Sequence, residues 1–227
     1  PEGRRYASLA RIELTKIKAA DALSTGDKGR ALGEVTTLKG IIDEYKDQPY
    51  SQAMAQLEIG NIDISLKDDV QALKEFEKVR GLYSLEAGAV AQSRLKIADI
   101  FSSYGDEQRI IDTYLSIIKD YPESLEWCLT ASQRVLSLIE RIEDERERLA
   151  KYREIISKYK GLPYLPALAQ YKVGEFYHLK GRYEEAISEY RRVLDNFPSE
   201  TSIADEASIA MAEVWLSRGS YGNALSI

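Results

Sequence analysis

One pattern returns along this chain every 38 residues. Counting back by that interval, Tyr190 meets Tyr152, Tyr114, Phe76 and Leu38, and Val193 meets Ile155, Ile117, Val79 and Ile41. Phe197 meets Tyr159, Tyr121, Tyr83 and Tyr45. The small residue Gly174 shares a column with Ala212, Leu136, Ala98, Gly60 and Ala22. A generic helical bundle has no reason to keep one long register over so many steps. A stack of like units does, because each unit leaves an apolar face that only its neighbour covers.

Inside one unit the spacings are helical. Ala186, Tyr190, Val193 and Phe197 recur at intervals of three and four and form one apolar face, and Val173, Gly174 and Tyr177 form the facing stripe of the preceding helix. The small residue lets the two helices approach closely. Gly181 lies between the stripes, with Gly105 and Gly219 in the same register, where a helix must end and reverse; glycine tolerates the left-handed geometry of such an end. Pro122 and Pro198 follow second helices and stop them. Ser124 and Ser202 stand where N-caps are expected, with Asp205 completing an acidic capping box after Ser202. The period predicts an all-α chain of antiparallel helix pairs, with few prolines and glycines to interrupt it (6 and 14).

The stretch from Gln170 to Pro198 carries Gly174, Tyr177, Gly181, Tyr183, Ala186, Tyr190 and Pro198 at the relative spacings of the tetratricopeptide consensus, and the chain resembles that family. The usual unit has about 34 residues; the four extra residues here amount to roughly one helical turn. Longer units with junctions such as Tyr121-Pro122-Glu123-Ser124 and Phe197-Pro198-Ser199 are similar to the tetratricopeptide domains of bacterial envelope proteins such as BamD and CpoB/YbgF. The resemblance implies a right-handed superhelical solenoid of about six units that binds proteins rather than catalysing a reaction, the alternatives being a regulatory or structural region of a larger enzyme or a self-associating module. It implies a periplasmic or outer-membrane-associated location, the alternative being the cytoplasm. The expected organisation is an irregular N-terminal unit or cap over 1–47, then repeats at 48–85, 86–123, 124–161, 162–199 and an incomplete 200–227. The last unit breaks off early in its second helix, at Ala224-Leu225, and this open end offers a surface for association with a second copy.

Composition narrows the function classes. Hydrophobic residues make up 44% and charged residues 30%, as in a chain that builds a core. The net charge of −6 and the lack of an Arg- or Lys-rich block argue against general binding to nucleic acid, which relies on basic residues at the phosphates. No run approaches the length of a membrane span. The single cysteine, Cys128, permits no internal disulfide, and one cysteine with one histidine, His178, cannot make the usual zinc site or a nucleophile–histidine constellation. No phosphate-binding glycine loop or calcium loop is present. No cofactor is expected. Cys128 reads as a small packed residue. In the fourth unit Arg148 replaces the alanine of Ala72 and Ala186, and the charged run from Glu140 to Arg148 reads as a solvated turn with local ion pairs.

In the family resembled, first helices line the concave face and ligands lie there. The register places on that face Leu57, Asn61 and Ile64 with Met54; Leu95 and Asp99 with Gln92 and Ser102; Gln133 with Ser137, Glu140 and Arg141; Tyr171, Glu175 and His178 with Leu168; and Ile209 and Glu213 with Glu206 and Leu216. Such a groove is mixed apolar and acidic. It suits an extended or helical peptide with apolar anchors and some basic residues.

Overall fold

The computed structural model describes residues 2–224. Among the described residues there are helices and no strand: α1 (Glu2–Ser24), α2 (Lys28–Glu44), α3 (Pro49–Ser65), α4 (Asp69–Leu82), α5 (Ala87–Ser103), α6 (Glu107–Asp120), α7 (Leu125–Glu140), α8 (Glu145–Lys158), α9 (Leu165–Leu179), α10 (Tyr183–Asn196), α11 (Thr201–Ser217) and the short α12 (Tyr221–Ala224). The chain divides into two compact units, Pro1–Thr113 and Tyr114–Ile227, with the boundary inside α6. Of the expected open end at Ala224-Leu225, Leu225 lies outside the described residues.

In the first unit α1 pairs with α2 and α3 with α4, while α1, α3 and α5 also pack in succession. In the second unit α9 packs against α7, α8, α10 and α11. This is the stacked helix-pair class that the period predicts. Its cause is visible in the repeat columns. Leu38, Phe76, Tyr114, Tyr152 and Tyr190 are all buried, as are Ile41, Val79, Ile117, Ile155 and Val193. The small column sets the approach distance. A Cβ added to Gly60 would stand 2.5 Å from the Phe76 ring, and one added to Gly174 would stand 2.6 Å from the Tyr190 ring. These two glycines are therefore required by contact, not by backbone conformation.

Outside the α7–α8 turn, the turn within a pair is closed by one recurring backbone bond. The amides of Asp68, Asp106, Arg182 and Ser220 donate to the carbonyls of Asp63, Phe101, Tyr177 and Trp215, the six-residue closure of a helix C-terminus. The residue before each donor is left-handed: Gly105, Gly181 and Gly219, and Lys67 at φ 65°. Lys67 thus bears a Cβ where its counterparts bear none. Three second helices begin on an aspartate column of the same period: Asp68, Asp106 and Asp144 accept from the amides of Gln71, Arg109 and Glu147. Ser124 caps α7, accepting from the Trp127 amide. Ser202 does not cap α11. That helix starts at Thr201 with Glu200 at the cap position, so Ser202 already lies within the first turn and the capping box with Asp205 does not form.

The run from Glu140 to Arg148 differs from the expected local pairing. Glu140 pairs with Lys172 at 3.1 Å and Glu145 with Lys180, both on the neighbouring α9 side. The Arg148 guanidinium lies 5.8 Å from the Phe176 ring centroid. With no turn glycine here, the charges fasten α7 and α8 to the next pair.

Two carboxylates are buried, each against a buried glutamine. Glu75 of α4 accepts from Gln56 of α3, from Gln71 at 2.5 Å and from the Lys78 ammonium at 2.8 Å. Glu189 of α10 accepts from Gln170 of α9 at 2.5 Å and from Arg192 at 2.9 Å. Asp63 is different: its side chain is buried and its Oδ2 has no hydrogen-bond partner. Burial first, then the negative charges of Glu75 and Asp68, push it up to about 6, against the opposing pull of Lys39 and Lys78.

The native state therefore holds the Asp63 proton more tightly than the unfolded chain does. Its contribution is present in acid, is lost as the pH rises from about 4 through about 6, and stays lost above. The size is about 1–2 kcal/mol once partial solvation is allowed for. Asp63→Asn should flatten this part of the stability profile and be the more stable form at pH 7.5. Urea unfolding followed by circular dichroism at several pH values checks it; parallel profiles for the two proteins would refute it.

Candidate functional site

The second unit holds a groove of about 360 Å³ built from three successive first helices. Gln133, Leu136, Ser137 and Glu140 come from α7, Leu168, Tyr171 and Lys172 from α9, and Glu206 from α11. The α7 residues recur at three and four, so they form one face of that helix. The groove opens along α9 toward Glu175 and along α11 toward Ile209 and Glu213, at further helical steps. Ile209 is 62% exposed, an unusual state for isoleucine on a packed helix.

Its walls are set by the packing behind them. The Tyr171 ring lies 5.3 Å from the Tyr190 ring, tilted against it, and Tyr190 in turn fills the space that Gly174 leaves. The Lys172 ammonium reaches Glu140 at 3.1 Å and Glu175 at 2.8 Å, which ties α7 to α9. Those two carboxylates raise the Lys172 pKa and outweigh the effect of its burial. Burial and then the charges of Glu175, Glu206 and Glu213 raise the phenol of Tyr171. The groove therefore presents four carboxylates against one lysine that two of them already hold. Among the described residues Glu206 and Glu213 have no ion-pair partner.

Of the residues that the register singles out, Gln133 and Tyr171 line this groove together, with Ser137, Glu140, Leu168 and Glu206. Glu175 joins them through Lys172. Ile209 and Glu213 are exposed on α11. His178 is half-buried at the far end of α9, its ring 6.0 Å from that of Tyr183. In the first unit Asn61 and Ile64 are half-buried on α3, and Asn61 donates to Glu58 at 3.0 Å. Leu95 is half-buried and Asp99 exposed on α5. Leu57 is 5% exposed, so it packs between helices and offers no open surface. Lys172 and Leu136 line the groove without having been singled out. The Lys172–Glu175 spacing of three on a helix was the available signal for the first.

The remaining reactive groups are packed. Cys128 is buried, with Sγ 3.1 Å from the Tyr121 carbonyl, and burial lifts its thiol up to about 11, so it is held as a neutral hydrogen-bond donor. Among the described residues no group of three or more His, Cys, Asp or Glu side chains is placed to hold a metal ion. No described helix is long and apolar enough to cross a membrane.

Paired helices, a glycine turn, a small-against-aromatic column and a face of successive first helices define a helical-repeat scaffold. Residues 92–124 and 168–199 match the tetratricopeptide repeat family. Solved structures with a similar course include the apo form of the quorum sensor NprR from B. thuringiensis, at 14% identity and a TM-score of 0.45, over 95% of this chain and 62% of that one. A tetratricopeptide repeat protein from Parabacteroides merdae follows at 13% identity and 0.41, over 96% of this chain and 77% of that one. BtubC (BKLC) from P. vanneervenii stands at 11% and 0.44, over 95% and 87%. The chain thus spans less than two thirds of the first of these. No curated protein matches the sequence.

Proposed function

We propose that this protein is an interaction scaffold that grips a partner's basic, apolar-anchored segment in the groove of α7, α9 and α11. The observation that supports this reading most is the charge balance of that groove: Glu140, Glu175, Glu206 and Glu213 face a single lysine, around an apolar floor of Leu136, Leu168 and the Tyr171 ring. Lys or Arg side chains of a partner would meet Glu206 and Glu213. Apolar side chains would cover the Tyr171 ring and Ile209.

Peptides selected from a random displayed library on the immobilised chain should be enriched in Lys or Arg interleaved with apolar residues. The double substitution Glu206→Lys, Glu213→Lys should weaken the selected peptides at least about tenfold, a loss of about 1.4 kcal/mol. Wild-type binding should itself fall with added salt. Acidic selected sequences, or indifference to the double substitution, would overturn the reading.

A further inference from the structure

A second cleft carries the opposite sign of charge. It measures about 210 Å³ and lies between α8 and α10 with α9 as its floor. Arg153 and Ile156 line it from α8, Gln170 and Val173 from α9, Glu189 and Arg192 from α10. Each of the six has a like counterpart three repeat lengths earlier: Lys39, Ile42, Gln56, Ile59, Glu75 and Lys78. The two registers between them do not keep the polar members. There the Arg153 column holds Glu77 and Leu115, the Gln170 column Arg94 and Ser132, and the Glu189 column Thr113 and Lys151. In one of those registers α7 and α8 still pack against each other without the polar set, so helix pairing alone does not demand it.

Most of the set is internally satisfied. Glu189 is held by Gln170 and by Arg192. Arg153 is the exception. Its Nη2 donates to the Tyr177 hydroxyl at 3.1 Å, a neutral acceptor, and among the described residues it has no carboxylate partner. The Tyr177 ring is itself covered by the Arg182 guanidinium at 4.6 Å, so the anchor of Arg153 is fixed. Most of the Arg153 N–H donors remain available beside the cleft. The earlier copy lacks this feature. Asp63 occupies the Tyr177 position there, and its charge acts on both Lys39 and Lys78. Two cations then face two carboxylates, whereas in the later copy two cations face one.

We infer that the α8–α10 cleft is a docking subsite for an acidic side chain of a protein partner, with Arg153 gripping the carboxylate and Ile156 covering its methylene stem. Arginine's planar fork suits a carboxylate in the two-bond mode. The chain's net charge of −6 repels acidic ligands at long range, so capture depends on this local excess of positive charge. The subsite is separate from the groove proposed above and takes the opposite ligand chemistry.

The test uses the full chain and a fluorescein-labelled, N-acetylated tetraglutamate amide, read by fluorescence anisotropy at low ionic strength. Saturable binding is expected, with a shift of the Arg153 Nε–Hε resonance on titration. Arg153→Gln, an exposed position whose folding is verified by its melting curve, should weaken binding at least about fivefold. Tyr177→Asp, which copies the earlier register, should weaken it similarly. Arg191→Gln, exposed on α10 but not lining the cleft, should leave it unchanged. Absence of saturable binding overturns the inference, and so does equal weakening by Arg153→Gln and Arg191→Gln, which would mean diffuse attraction. The basic-peptide selection involves other residues, so either result can fail alone.

Discussion

Phe76→Ala is expected to destabilise the α3–α4 pair by about 3–5 kcal/mol. The ring is fully buried and covers the backbone of Gly60 so closely that no Cβ fits between them. Truncation removes the contacts that fill the space made by a glycine, and neither helix can close the gap without losing its contacts to α2 and α5. Because a repeat array is held by unit and neighbour terms, the loss should appear locally. Amide hydrogen exchange over residues 49–82 should accelerate first, and the urea midpoint should fall. The chain contains its own control. The first pair joins Ala22 to Leu38 in the same columns. Gly60→Ala alone should cost about 1–3 kcal/mol, since the ring must shift by more than the helix gains from alanine. Gly60→Ala with Phe76→Leu, the combination found at Ala22 and Leu38, should cost clearly less than the sum of the two single changes. Additive costs would show that the columns are not coupled through that contact.

Glu75→Ala should cost about 2–4 kcal/mol, by leaving the buried Gln56 amide without its acceptor and opening a cavity beside it. The side chain of Glu75 is 1% exposed, and three side chains converge on it. The more informative change is Gln56→Leu with Glu75→Leu. Replacing both members of a buried polar pair by apolar residues of similar size is commonly neutral or stabilising, because the desolvation cost of the pair disappears with it. Within about 1 kcal/mol of wild type is the expected result in thermal or urea unfolding. A loss as large as that of Glu75→Ala would mean that the polar pair itself stabilises the helix pair. The expected outcome would leave the recurring Gln–Glu–cation set without a stabilising role, and so bears on the arginine cleft.

The groove was partly legible before any coordinates. Gln133 and Tyr171, with Ser137, Glu140, Leu168 and Glu206, follow from the register alone, because a helical face repeats at three and four and the period carries it from unit to unit. Leu57 shows where register stops being informative. It holds the same formal position as exposed residues in other units, yet its side chain is enclosed, and enclosure depends on the sizes of neighbours on three helices. Lys172 shows the complementary failure: its role arises from two carboxylates, one near in sequence and one on another helix.

The sequence by itself determined that this chain is helical, that its helices pair at a constant interval, and which residues fill the space between partners. Those properties are local, or repeat at one fixed distance, so a single column of residues discloses them. Only the tertiary structure decided which charges meet. Glu140 and Glu145 reach lysines of the next pair rather than their own turn, Asp63 is enclosed without a partner, and Arg153 rests on a tyrosine with its positive charge unmatched. Electrostatic partnership depends on separations of a few ångströms between residues far apart in the chain, and no period in the sequence records them.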